Sequence, residues 1–194
     1  MVRLLFFALL GTHMLVQAGE KPTQKVPVWS VHSSSTEQLE THVDYGWFSI
    51  RPPKNYVQAE LDATAYEKAG IKIAAWTMAS GRAINPAITI MSIPPPRVPA
   101  KNDEELFEGI LKSLTARWPE VRGSKITQGR WNGRTAYRYE FSVTSKKDNI
   151  TGIVFAEITP SCTFVVSALH PVNTSEDRDA IKTLELAAIS CKRN

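Results

Sequence analysis

An Asn-Gly pair at positions 132 and 133 sits between two alternating runs, SKITQGRW before it and RTAYRYEFSVT after it. Asn-Gly accepts the left-handed backbone that a two-residue type I′ turn demands, and that turn matches the twist of paired strands. The runs are therefore expected to fold back on each other, with Trp131 opposite Arg134, Arg130 opposite Thr135 and Gly129 opposite Ala136. Successive strand side chains point to opposite faces. Trp131, Arg134, Ala136, Arg138 and Glu140 then share one face, and Thr135, Tyr137, Tyr139, Phe141 and Val143 share the other. The aromatic face reads as core. The Arg138 and Glu140 face reads as solvated, with cross-strand pairing. A stacking platform for nucleic acid needs cations and aromatics on one face, and this hairpin separates them.

Other segments extend the pattern. Residues 45–51 alternate and stop at Pro52-Pro53, which cannot continue a ladder. Residues 71–80 and 87–93 read as two strands around a turn at 81–86, closed by Pro94-Pro95-Pro96. Residues 54–69 fit no single pattern. The clearest helix runs over 102–118: Asn102 caps it, Glu105 stands three residues on, and Leu106, Phe107, Ile110, Leu111, Leu114 and Trp118 form one stripe. After the hairpin come strands over 150–159 and 162–169. A last helix over about 174–191 has Thr174 as its cap and Asp177 three residues later. Strands joined by short turns pair antiparallel, and amphipathic helices bury their stripes on such a sheet. The expected product is one α+β domain over 44–194.

The leading residues differ in kind. MVRLLFFALLGTHMLVQA has an early charge at Arg3, an apolar run over 4–10 and short side chains before Ala18, as in a secretory signal peptide cut after that residue. Residues 19–43 hold two prolines and an SSST run without period, and read as a polar linker or arm. A short helix over 36–42, capped by Thr36, fits its end. Past the signal no run is apolar enough to span a bilayer. Export makes a periplasmic or secreted location the expectation. Charge is uneven: residues 81–150 carry twelve basic and seven acidic groups, a mild surplus far from the dense stripe of a nucleic-acid binder. That middle segment suits an anionic protein or envelope partner, with Trp131, Arg134 and Arg138 as the candidate contact residues.

Cys162 and Cys191 are the two cysteines. In an exported protein an even pair is most simply a disulfide. An eight-residue strand and a fifteen-residue helix span roughly 26 and 22 Å, so a helix folding back along its strand brings Cys191 level with Cys162. Cys191 also shares the stripe of Ile181, Leu184 and Ala188 and should face the sheet.

Catalytic and metal motifs are sparse. His42 and Asp44 would lie on one side of an extended segment, two ligands lacking a third. His170 ends a strand before Pro171. A small hydrolase using His170 or His42 with an unidentified nucleophile is the rival reading, but the chain has no Gly-x-Ser-x-Gly elbow. It also lacks a phosphate loop, a His-Glu-x-x-His helix and a Cys-x-x-Cys pair, so no metal or cofactor is implied. The Asn149-Ile150-Thr151 and Asn173-Thr174-Ser175 triplets are formal glycosylation acceptors.

The run YGWFSIRPPKNY, the helix ELFEGILKSLTARW, the hairpin GRWNGRTAYRYEF and the closing strand and helix together resemble the PsbP-like superfamily over about 44–191. The resemblance implies an α/β/α sandwich, a central antiparallel sheet flanked by helices. Members are mostly non-enzymatic binding or assembly proteins, so it implies a binding role and assigns no functional residue. A purely structural envelope protein would satisfy the same pattern.

Overall fold

The computed structural model describes residues 26–31, 37–79, 84–116, 118, 120–144, 149–172 and 177–194. Its strands are β1 (Val28–Trp29), β2 (Val43–Asp44), β3 (Phe48–Ile50), β4 (Val57–Gln58), β5 (Lys72–Thr77), β6 (Ala87–Ile93), β7 (Arg122–Gly123), β8 (Thr127–Trp131), β9 (Arg134–Thr144), β10 (Asn149–Ile158), β11 (Thr163–Pro171) and β12 (Lys192–Arg193). Its helices are α1 (Thr64–Lys68), α2 (Asp103–Thr115) and α3 (Asp177–Ser190). The architecture is α+β. The main sheet runs β1-β8-β9-β10-β11-β6-β5-β4, with β7 also on β9, and a small second sheet runs β12-β3-β2.

The hairpin has the expected register: Trp131 pairs with Arg134, Arg130 with Thr135 and Gly129 with Ala136. Asn132 and Gly133 take φ of 51° and 82°, as the I′ turn requires. In α2 the Asn102 side chain accepts from the Glu105 N–H at 2.9 Å. The Glu105 carboxylate reaches back to the Lys101 N–H at 2.6 Å, one residue earlier than in a standard capping box.

Strand alternation feeds two separate cores. Trp131, Ala136, Phe155, Phe164, Val166 and Ala168 pack with Leu184, Ala187 and Ala188 of α3. Phe141, Val143, Val154, Ala156 and Val165 pack with Phe107 and Leu111 of α2. At ~25 cal/mol per Å² of apolar surface, each buried aromatic side chain contributes on the order of 2–3 kcal/mol.

Several expectations change. The main sheet is mixed, because β1 joins β8 in parallel. That strand comes from the segment read as a polar arm, and its Trp29 is buried with the ring 5.5 Å from Phe155. Leu39, also in the arm, is 3% exposed and bridges to Pro53. Single apolar residues without period gave no strand signal, yet each fills a core position. The packed region therefore begins before Asp44. In place of the expected helix over 36–42, residues 37–42 form a turn and that bridge. The Trp131 face of the hairpin is not a solvated face, since α3 and the chain's end cover it: Trp131 is 3% exposed and Ala136 fully buried. The ambiguous 54–69 stretch holds β4 and α1. The signal peptide, the Thr36 and Thr174 caps and residues 81–83 of the 81–86 turn lie outside the described residues.

Candidate binding site at the hairpin turn and the end of the last helix

A helix ends with carbonyls that lack partners within it. At the end of α3 the β8–β9 turn supplies donors. The Trp131 indole N–H donates to the Ile189 carbonyl at 3.0 Å. The Asn132 amide donates to the same carbonyl at 3.3 Å and to that of Cys191 at 2.8 Å. The Asn-Gly pair thus makes the turn and caps the distant helix. Only the turn signal is visible in the sequence.

Charged groups gather around this junction. Glu157 faces the α3 side of β10 and is 6% exposed. Arg193 pairs with it at 2.8 Å, while Arg134 sits farther away at 3.4 Å with its side chain 49% exposed. Arg134 also donates to the Arg193 carbonyl at 3.4 Å. Lys192 is exposed beside them. A hollow here is lined by Trp131, Asn132, Arg134, Glu157, Phe164, Cys191, Lys192 and Arg193. Three cations line it against one carboxylate, and that carboxylate is already held by Arg193. Of the two arginines on Glu157, Arg134 is the more loosely held, its side chain 49% exposed against 23% for Arg193.

The three residues expected to form one contact patch therefore divide. Trp131 is inside the core, stacked 5.9 Å from Phe164. Arg138 is held by two carboxylates, with Nη2 at 2.7 Å from both Glu140 and Glu185, and its guanidinium lies 5.8 Å from the Phe155 ring centre. Arg134 alone remains available. Its partners Glu157 and Arg193 went unnoticed in the sequence. The single acid in the strand run IVFAEI was the available signal for Glu157.

At the other end of α3 a second cleft is lined by Arg138, Glu140, Thr151, Ile153, His170 and Glu185, among others. His170 is buried, at 4% exposure, and pairs in register with Thr151. The hydroxyl in this lining is that of Thr151, which donates to the Phe141 carbonyl at 3.4 Å. Among the described residues no serine or cysteine lines the cleft. His42 is exposed, and Asp44 accepts from the Gly46 N–H at 2.7 Å and the Asn194 amide at 2.8 Å. That carboxylate ties the chain's end to β2. Among the described residues no group of three or more His, Cys, Asp or Glu side chains is placed to hold a metal.

The expected bridge between Cys162 and Cys191 is not formed, and both are free thiols. The physical reason is what each sulfur meets. Cys162 Sγ accepts from Arg193 Nη1 at 3.4 Å and lies 3.8 Å from the Thr159 hydroxyl. Cys191 is turned fully into the core beneath α3. Burial raises the Cys162 thiol, but contacts from Arg193, Ser92 and Thr159 and the Arg193 charge outweigh it and hold the thiol below its ordinary value. Burial pushes Cys191 well up.

No protein-family model matches the chain, and no curated protein does. Solved structures do. The solution structure of cyanobacterial PsbP (CyanoP) from Synechocystis sp. PCC 6803 aligns with a TM-score of 0.55 at 11% identity, over 85% of this chain and 98% of that one. LpqN of Mycobacterium tuberculosis, involved in cell envelope biogenesis, aligns at 0.48 and 12% identity over 86% and 98%. The Saccharomyces cerevisiae Ran-binding protein Mog1p aligns at 0.48 and 12% identity over 77% and 88%. On the backbone correspondence with CyanoP, the fold of this chain is PsbP-like.

Proposed function

We propose that the protein is an exported, non-catalytic binding or assembly domain, and that its contact surface is the basic corner at the β8–β9 turn and the end of α3. The PsbP-like fold supports a binding role as one such folds commonly carry, although fold alone never assigns activity. Two cores fed by alternate strand faces, one with α2 and one with α3, support a three-layer sandwich. The leading residues 1–18 support export as a signal peptide, with the protein acting in the periplasm or outside the cell.

One observation carries the choice of surface. Arg134 is half exposed, its nearest carboxylate is 3.4 Å away, and that carboxylate already has a closer cation in Arg193. A guanidinium so placed has donors to spare for a carboxylate of an acidic partner protein, and Lys192 adds to the field. Rim charges of this kind set the association rate and its salt dependence more than the dissociation rate.

The experiment is affinity capture from the native envelope fraction with the mature protein and with a variant carrying Arg134→Glu and Lys192→Glu. Partners retained at low salt by the parent and lost by the variant support the corner. An identical set on both baits removes it.

A further inference from the structure

The α2 side of the main sheet holds a hollow of about 400 Å³. It lies on the face opposite the Arg134 corner. Its cause is in the sequence. Thr89 of β6 and Ser167 of β11 are direct cross-strand partners, and Val154 of β10 pairs with Ser167 from the other side. Two short side chains therefore stand together where neighbouring positions carry Met91 and Val165. The thirteen-residue α2 covers the sheet with Phe107 and Leu111 but leaves this floor open. Leu114 at the end of α2 and Trp118 just beyond it wall one side, and Tyr66 of α1 contributes to the lining.

We infer that this hollow is a binding site for an uncharged, chain-like lipophile, such as an acyl chain. Three features select that chemistry. First, no charged side chain among the described residues lines it, whereas the Arg134–Glu157–Arg193 and Arg138–Glu140–Glu185 clusters lie on the other face. An ionic group seated there would lose water without gaining a partner. Second, its size falls in the range of small-molecule pockets, and its lining is apolar with a few hydroxyls from Thr89, Ser113 and Ser167. Third, the floor strands β6 and β11 are each hydrogen-bonded to a neighbour on both edges. An extended peptide laid on that floor would find no backbone partners for its own N–H and C=O groups. An aliphatic chain has none to satisfy.

The test uses the mature protein and N-phenyl-1-naphthylamine, a neutral fluorophore that brightens in apolar surroundings, with 1-dodecanol as competitor. Ser167→Leu and Thr89→Leu each fill the floor from a different strand, and thermal melting verifies the fold of each. The expected result is saturable one-to-one probe binding, displacement by dodecanol, and roughly tenfold weaker binding in each folded variant. Filling the hollow should leave the melting temperature unchanged or raise it. Probe binding equal in parent and folded variants would overturn the assignment, as would a signal that dodecanol fails to displace. Saturable binding of an amphipathic helical peptide in place of the probe would also overturn it. Capture of acidic partners through Arg134 is indifferent to these substitutions, so the two readings fail separately.

Discussion

Trp131 and Ile189, 58 positions apart, are joined by an indole N–H to carbonyl hydrogen bond of 3.0 Å. The bond fixes the end of α3 to the hairpin turn, and the ring beneath it stacks on Phe164. Trp131→Phe keeps most of the packing and removes the donor, leaving the carbonyl to Asn132. The expected cost is about 1 kcal/mol in urea unfolding. Trp131→Ala adds a cavity and should cost roughly 3–5 kcal/mol. Equal losses in the two variants would show that the hydrogen bond, not the ring, dominates.

Asn132 has two tasks, the left-handed turn position and the amide that reaches the Ile189 and Cys191 carbonyls. Asn132→Ala loses both, and Asn132→Gly keeps the turn. The alanine variant should lose about 2 kcal/mol and the glycine variant about 1 kcal/mol, measured by chemical denaturation.

Gly152 lies under the Phe141 ring, and a β-carbon there would stand 2.3 Å from that ring. Gly152→Ala is therefore expected to destabilise by roughly 1–3 kcal/mol through overpacking. The Gly152→Ala, Phe141→Leu double variant should be less destabilised than the sum of the singles, and strict additivity in a double-mutant cycle would count against the contact.

Glu157 is the carboxylate shared by Arg134 and Arg193. Glu157→Gln leaves both cations with a neutral acceptor. Because Arg134 is half in solvent, the expected destabilisation is modest, about 1–2 kcal/mol. The same variant raises the positive charge of the corner, so capture of an acidic partner should strengthen at low salt.

In the reduced protein Cys162 is expected to alkylate well before Cys191 on peptide mapping. Its reaction should begin at lower pH than that of an ordinary thiol, because Arg193 and its neighbours favour the thiolate. Arg193→Gln should move the profile upward. The folded thiol value lies below the unfolded one. The associated stability is thus present above the unfolded value and is lost as pH falls through the folded one. Absence of any reactive thiol in protein isolated without reductant would show the two sulfurs bridged.

The hairpin, its register and α2 were legible because their signals are local: an Asn-Gly turn, strict alternation, and a capping Asn ahead of an apolar stripe. What was illegible depends on distant chain. Trp29 looks like a stray aromatic in a polar stretch until β8 offers it an edge and Phe155 a ring. Arg134, Ala136 and Arg138 alternate as a wet face would, and only α3, forty residues on, shows that the face is covered. The site was partly legible. Arg134 was identified from its place beside the turn, but Glu157, Lys192 and Arg193 reach it through strand order, which one-dimensional patterning does not carry.

The parallel pairing of Val28 with Arg130 has a consequence for synthesis. Trp29 leaves the ribosome roughly a hundred residues before the strand it lies against, so it must wait unpaired while the intervening chain is made. Until it docks, β8 presents an open rim to any neighbouring nascent chain. The early segment is thus a latch that cannot close until β8 is made, and a protease or translocase meeting the chain before closure would see a different molecule from the finished one.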